Sequence, residues 1–209
     1  LAAGGDLKLG YTGHIAVHDI EEWASPKPFE QRAVDVSYRS HEVDRHFGSL
    51  GFHKAYIGKR FAESIGDTSL TLDISTSERD LIPGNAWRRF LENSRFCVSP
   101  LSGSSLFDPE GDIRRAIARY QSLHSRATFA DVEQACFPGK DRQYIFTAIS
   151  PRNMEAALAC TVQLAAPGPY NGILQPWDHY IPLEPDCSNI AQVLNIMRDT
   201  AEVLRITQR

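Results

Sequence analysis

"AISPRNMEAALACTVQLAAPGPYNGILQPWDHYIPL", residues 148–183, contains the signals that decide the fold. Ser150 is a favourable N-cap residue and Pro151 suits the first position of a helix, so a helix is expected to begin here. This helix carries Glu155 among alanines and leads into apolar strands at 161–166 and 179–183, with glycine-containing turns between them. The segment therefore predicts alternating helix and strand, with one carboxylate on a largely apolar helix.

The same alternation extends through the rest of the chain. Residues 33–39, 69–75 and 95–100 have the pattern of strands, and residues 144–149 that of a buried strand or loop. Helices are predicted over 51–65, 85–94, 109–124, 128–137 and 189–206. Alternation of this kind predicts a Rossmann-like α/β fold, a parallel sheet with helices on both faces. Such sheets bind ligands at the carboxyl ends of their strands.

Composition narrows the classes of partner. The chain has 209 residues and a formal net charge of −4, so no basic field indicates nucleic acid or anionic lipid. No apolar run approaches the ~20 residues of a transmembrane helix, and the N-terminus lacks the features of a signal peptide. The four cysteines are widely spaced without a C-x-x-C pair, so neither a disulfide framework nor a zinc site is predicted. A reducing cytosol is the expected setting.

The first 32 residues have the sequence features of a linker between domains. The sequence does not begin with Met, and two prolines interrupt any periodicity over 24–32. Residues 13–24 have the pattern of a strand entering a short helix. We therefore expect residues 1–32 to be an inter-domain segment or the tail of a preceding domain, and residues 33–209 to form the α/β domain.

Glu155 has two interpretations. As a solvated side chain in the second turn of its helix, it would be favoured by the positive end of the helix dipole. However, Leu158 and Ala159 on the same face place it at the edge of a packed surface, where a carboxylate needs hydrogen-bond donors. A ribose diol supplies two such donors. The pattern alone leaves both interpretations open.

A wider set of motifs resembles a known family. "SPRNMEAALACT" and "GPYNGILQPWDHYIPLEPDCSNIAQVL" resemble the donor-nucleotide half of bacterial GT-B glycosyltransferases of the group 1 type. "VDVSYRS", "FGSLGFHKAYIGKRFAES" and "SGSSLFDPEGDI" are similar to other segments of that family, so the resemblance covers roughly residues 33–205. It implies that Glu155 holds the donor's ribose and that residues 33–209 bind a nucleotide sugar. Two departures are Thr147, where many retaining members have a second glutamate, and Cys160-Thr161, where a small residue and Gly are usual.

Two cations are the candidate catalytic residues. Arg39 ends the first strand and Lys54 is expected to open the next helix, from which both side chains can converge on a diphosphate. The resemblance implies that such a pair neutralises the leaving nucleoside diphosphate in place of a metal, so no cofactor is expected. Gly48 and Gly51 would allow close backbone approach in the loop between them. The alternative is that both cations are ordinary surface charges.

Several further residues are candidates for donor binding. Turn-forming residues in 99–108 and 168–174 would let a phosphate, base or sugar come close, although Ser and Gly populate turns for purely structural reasons too. Trp177 and Tyr180 are expected to pack a turn, because one Asp and one His between them are too few ligands for zinc. The candidate donor-binding residues besides Glu155 are Ser150, Arg152, Gly103, Ser104, Asn171 and Gly172.

The resemblance implies a function and a partner. The chain would be the donor domain of a metal-independent, retaining glycosyltransferase that uses a UDP- or GDP-linked sugar and acts on a glycan, lipid or protein. The acceptor site would lie on a missing N-terminal half, so the chain alone would have little activity. A cytoplasmic location is expected, with any peripheral attachment to the inner membrane made through that half. The alternatives are a non-catalytic nucleotide- or glycan-binding scaffold, and an epimerase of the same fold, whose acid–base residues cannot be placed here.

Overall fold

The computed structural model of the chain describes residues 20–21, 23, 26–66 and 69–209. The predicted strand and helix over 13–24 lie almost entirely outside these residues. The strands are β1 Val34–Arg39, β2 Leu72–Ser75, β3 Ser94–Ser99, β4 Ser102–Ser104, β5 Phe146–Ala148, β6 Val162–Ala165 and β7 Ile181–Pro182. The longer helices are α1 Gly48–Ser64, α2 Asn85–Glu92, α3 Asp112–Leu123, α4 Phe129–Cys136, α5 Pro151–Leu158, α6 Ile190–Arg198 and α7 Thr200–Thr207.

Five of the strands form one parallel sheet in the order β2-β1-β3-β6-β7. The predicted α/β fold with a parallel sheet is therefore confirmed. If these five strands are renumbered 1 to 5 in chain order, the order across the sheet is 2-1-3-4-5, which is that of a doubly wound sheet. β4 and β5 form a separate antiparallel pair, which the sequence pattern did not indicate. In a doubly wound sheet the strand order reverses between β1 and β3, and ligands bind outside the carboxyl ends at that point.

Helices cover both faces of the sheet, as predicted. On one face, α1, α6 and α7 pack on alternate residues of β1, β3 and β6, such as Tyr38, Val98 and Leu164. On the other face, α2 and α5 contribute Leu91 and Ala156 to a second cluster. Complete burial of one such Leu, Val or Phe side chain contributes roughly 1.5–3 kcal/mol to folding. The two apolar faces therefore hold the strand ends, and the loops that follow them, in fixed positions.

The first helix begins earlier than the sequence pattern predicts. α1 starts at Gly48 rather than at residue 51, because its N-terminal amides find partners from distant segments. The Asp141 carboxylate accepts the Ser49 N–H at 3.0 Å, and the Ser105 hydroxyl accepts the Leu50 N–H at 3.1 Å. Gly48 has φ +71°, and a Cβ there would collide with Ser105 and Asp141. The close backbone approach that Gly48 allows is therefore made to the Asp141 carboxylate of this chain.

Two further elements differ from the prediction. Residues 144–149 contain the short strand β5, but Tyr144, Ile145 and Phe146 are exposed because β5 belongs to the small pair outside the main sheet. The predicted helix over 189–206 is two helices, because Asp199 is extended and caps α7. Its carboxylate accepts the backbone N–H groups of residues 201 and 202, both at 3.1 Å.

A buried arginine ties the start of the domain to the sheet. The Arg32 guanidinium donates to the carbonyls of Lys27, Ser94 and Ala159 and to the Thr161 hydroxyl, at 2.7–3.0 Å. Desolvation lowers the pKa of Arg32, because burial penalises the charged form. Thr161 also donates to the Leu91 carbonyl at 2.8 Å. The hydroxyl at 161, where the resembling family usually has Gly, thus has a structural role in this chain.

Candidate functional site

A pocket opens at the carboxyl ends of β1 and β3, where the strand order of the sheet reverses. Arg39 ends β1 and residues 40 and 41 follow it, residues 100 and 102 come after β3, and α1, α2 and α5 close the sides. Its volume of about 340 Å³ lies at the lower end of the ~300–1,000 Å³ of small-molecule sites. The charged, polar and indole side chains that line it are Arg39, Ser40, His41, Lys54, Trp87, Ser102, Ser150, Arg152 and Glu155.

Glu155 lies in the second turn of α5, as predicted, and is partly buried at the pocket wall. The Trp87 indole Nε1–H donates to Glu155 Oε2 at 2.7 Å. In the described residues, Oε1 of the same carboxylate makes no hydrogen bond. Glu155 therefore has one oxygen held by a neutral donor and one available to a ligand.

Arg152 lies one turn before Glu155 and is held by aromatic faces. Its guanidinium carbon stands 5.2 Å from the centroid of the Tyr38 ring and 5.5 Å from that of Trp87. One guanidinium nitrogen donates to the Arg39 carbonyl at 2.6 Å. No carboxylate of the described ranges pairs with it. Stacking on rings fixes the orientation of a guanidinium without neutralising its charge.

Lys54 reaches the pocket from the second turn of α1 rather than from its first residue. Burial lowers the pKa of Lys54, and the positive charge of Arg152 lowers it further. Within the part of the chain that the structure describes, its ammonium has no hydrogen-bonding or ion-pairing partner. Two neighbouring unpaired cations repel each other, so an anion between them would relieve the repulsion.

Arg39 lies at the end of β1, as predicted, but its guanidinium is already engaged. It pairs with the Asp73 carboxylate at 2.5 Å, donates to the Asp73 carbonyl at 2.8 Å, and stacks over the Phe90 ring at 4.7 Å. Its Nε is buried without a hydrogen-bond partner in the described residues. The structure thus brings Arg39 and Lys54 to the same pocket, but it is Lys54 and Arg152 that have no carboxylate partner in the part of the chain that the structure describes.

The remaining candidates near β4 and α5 have structural contacts. Ser150 precedes α5 as its N-cap residue and lines the pocket, and its hydroxyl donates to the Asn153 amide oxygen at 2.9 Å. Gly103 and Ser104 lie on β4 outside the pocket wall. Gly103 has φ +137° and faces the backbone of Phe146 so closely that no Cβ fits. Ser102, which the sequence analysis did not single out, takes their place at the wall.

Asn171 and Gly172 lie in a turn away from this pocket. Both have positive φ, +52° and +74°, which explains the choice of Asn and Gly there. The neighbouring residues 173 and 174 line a different cavity, on the other side of α5. The structure of the free protein therefore does not support the predicted role of Asn171 and Gly172 at the sugar, and this role stays a prediction. The 177–180 turn is packed as expected, with Tyr180 buried.

Neither a metal-binding cluster nor a membrane-spanning helix accompanies the pocket in the described residues. Among the described residues there is no group of three or more His, Cys, Asp or Glu side chains that could hold a metal ion. No helix of the described ranges is long and apolar enough to cross a membrane.

Besides Ser102, the sequence analysis missed Trp87 and Asp73, the partners of two charged side chains of the pocket. Each acts through a partner that is distant in sequence, Glu155 for Trp87 and Arg39 for Asp73, at separations of 68 and 34 residues. Trp87 lies on an amphipathic helix, where an aromatic residue is ordinarily part of the core. No local pattern distinguishes such a tryptophan from one that binds a carboxylate.

No family model, curated protein or solved structure matches this chain. The chemistry of the pocket is therefore inferred from its own side chains, from its place in the sheet and from the resemblance of the sequence motifs to GT-B glycosyltransferases.

Proposed function

We propose that this pocket binds the nucleoside diphosphate part of a nucleotide sugar, and that the chain is the donor domain of a glycosyltransferase. The observation that carries the proposal is the meeting of Lys54 and Arg152, both without a carboxylate partner among the described residues, with a half-satisfied Glu155 in one pocket. The two cations suit a diphosphate, and the free carboxylate oxygen suits a ribose hydroxyl. The pocket also has the position at which doubly wound sheets bind nucleotides.

The resemblance to GT-B glycosyltransferases supplies the reaction. In such a transfer the bond between the anomeric carbon and the diphosphate oxygen breaks, and a bond to an acceptor oxygen forms. The acceptor gives up its proton to a base on the other half of the enzyme. Positive charge at the departing diphosphate lowers the barrier without a metal ion. Lys54 and Arg152 would supply that charge here, because the Arg39 guanidinium is paired with Asp73.

The alternative is a nucleotide-binding domain without transfer activity. The Arg39–Asp73 pair favours it, since one of the two expected catalytic cations is neutralised in the free protein. The two functions share the binding site and differ in turnover. A donor domain should restore sugar transfer when combined with an acceptor half, whereas a binding module should not. Full turnover by this chain without another polypeptide would contradict the expectation that its acceptor site lies elsewhere.

Calorimetric titration with UDP, GDP and their sugars tests the binding site directly. Glu155→Ala should weaken nucleotide binding about 10–150-fold, because the lost contact is a charge-assisted hydrogen bond of ~1.5–3 kcal/mol. Glu110→Ala is the matched control, since Glu110 is an exposed glutamate outside the pocket. If the wild-type protein binds no nucleotide at millimolar concentration, the proposed function is wrong. Equal affinities of the two variants would remove Glu155 from the site.

A further inference from the structure

Trp87 is placed to control both charged groups of α5. Its indole N–H binds the Glu155 carboxylate at 2.7 Å, and its ring face lies 5.5 Å from the guanidinium of Arg152. A second aromatic ring, Phe90, stacks on Trp87 with a centroid distance of 5.4 Å. The indole is therefore oriented by Phe90 on its own helix and by the Glu155 carboxylate on α5.

The contacts of Trp87 keep two opposite charges apart. Arg152 and Glu155 are three residues apart on one helix, a spacing at which side chains are neighbours and ion pairs commonly form. They do not pair here, because Glu155 bonds to a neutral N–H and Arg152 stacks on two rings. An internal ion pair would neutralise the groups that a ligand needs. The Trp87 N–H gives the Glu155 carboxylate a hydrogen-bond donor and leaves the Arg152 guanidinium without an ion-pair partner on α5.

We infer that Trp87 is a positioning residue, whose indole N–H orients Glu155 for the ribose and so makes the site prefer ribonucleotides to deoxyribonucleotides. The inference rests on the proposed function. The N–H holds Oε2, which leaves Oε1 to accept from a sugar hydroxyl. A carboxylate with one oxygen fixed loses less rotamer freedom when the ligand binds than a freely rotating one does. The ring face has the separate task of holding Arg152 for the phosphates.

The variants Trp87→Phe and Trp87→Leu separate the two tasks. Phenylalanine keeps a ring face for Arg152 and loses the N–H donor, whereas leucine loses both. Trp23→Phe is the matched control, because Trp23 packs in the same cluster with the Arg88 guanidinium over its ring but does not line the pocket. Thermal unfolding of each variant reports whether the α2–α5 packing is kept.

The probes are UDP, GDP, their 2′-deoxy counterparts dUDP and dGDP, and inorganic pyrophosphate, each titrated calorimetrically into the full chain. Whichever of UDP and GDP binds more tightly, we expect the wild type to bind it about tenfold or more tightly than its 2′-deoxy counterpart, the difference expected for one charge-assisted hydrogen bond. Trp87→Phe should reduce this preference to about threefold or less and change pyrophosphate affinity by less than about twofold. Trp87→Leu should reduce both the preference for the ribonucleotide and the affinity for pyrophosphate, whereas Trp23→Phe should change neither.

A preference for ribose that is unchanged in Trp87→Phe overturns the inference while leaving the proposed function standing. Equal losses for ribonucleotide, deoxyribonucleotide and pyrophosphate also overturn it, because they indicate a merely structural role. Absence of nucleotide binding by the wild type overturns the proposed function and this inference with it.

A second measurement uses the wild-type protein and does not depend on the folding of a Trp87 variant. The indole N–H resonance of Trp87, identified by its displacement in Glu155→Gln, should shift more with UDP or GDP than with the matching deoxynucleotide. Identical shifts with the two ligands would contradict the inference.

Discussion

Replacing Lys54 by methionine keeps the aliphatic length of the side chain and removes one of the two pocket cations that have no carboxylate partner among the described residues. The ammonium is partly buried, and its pKa is lowered by desolvation and by Arg152. We expect the nucleoside diphosphate to lose about 1.5–3 kcal/mol of binding free energy, a 10–150-fold rise in Kd, as for other hydrogen bonds to charged groups. The matched control is Lys59→Met on the same helix, where the lysine is exposed.

The same substitution should not weaken the fold. In the folded protein, the charged form of Lys54 is disfavoured, so at neutral pH its charge opposes folding. Between the lowered folded-state pKa and the ordinary value of 10.5, the unfolded chain binds more protons, and the stability of the wild type rises with pH. The stability of Lys54→Met should not rise with pH in this range. At lower pH the variant also avoids the free-energy cost of burying the charged ammonium. Binding and stability therefore change in opposite directions, as is common for functional residues.

The assays are calorimetric titration with UDP and GDP, and urea unfolding between pH 7 and pH 10.5. The expected pattern is a large loss of affinity in Lys54→Met, little change in Lys59→Met, and a free energy of unfolding for Lys54→Met at neutral pH no lower than that of the control. The reasoning is refuted if the two variants bind nucleotide equally well. It also fails if Lys54→Met is the less stable of the two at pH 7, because Lys54 would then stabilise the fold through a contact.

Three further predictions concern the fold that carries the pocket. Gly48→Ala should lower the free energy of unfolding by about 1–3 kcal/mol, and more than Gly66→Ala, because both have positive φ but only position 48 also meets other side chains; urea unfolding measures the difference, and equal losses would contradict the steric argument. Arg32→Leu should cost about 3 kcal/mol or more, since it leaves several buried acceptors without a donor, and a loss below about 1 kcal/mol would show that water replaces the guanidinium. Cys97 and Cys187 are buried and burial raises the pKa of each to about 11, so a thiol reagent at pH 8 should label the other two cysteines first; rapid labelling of all four without unfolding would contradict the core packing.

Much of the architecture follows from short-range patterns. The Ser-Pro pair at 150–151 starts α5, the alternation over 69–75 contains β2, and the order of strands and helices predicts the parallel sheet. These features depend on backbone dihedrals and on one apolar face per element, which neighbouring residues determine. The position of Glu155 on α5 and the expectation of a site at the carboxyl ends of the strands come from the same level of information.

The chemical state of each pocket residue was decided by tertiary structure. Arg39 is at the predicted strand end, yet Asp73 from the neighbouring strand neutralises it. The guanidinium of the pocket that has no carboxylate partner among the described residues is that of Arg152, and the partner of Glu155 is Trp87 from a helix on the same face of the sheet.

The sequence by itself thus determined the strands of the main sheet, most of its helices, and which charged side chains stand at the end of β1 and on α5. Only the packed structure decided which of those charges are paired, where α1 begins, and that β4 and β5 leave the main sheet. The physical reason is that pairing, capping and desolvation depend on distances between segments tens of residues apart. Those distances exist only once the sheet and its two helical layers have come together.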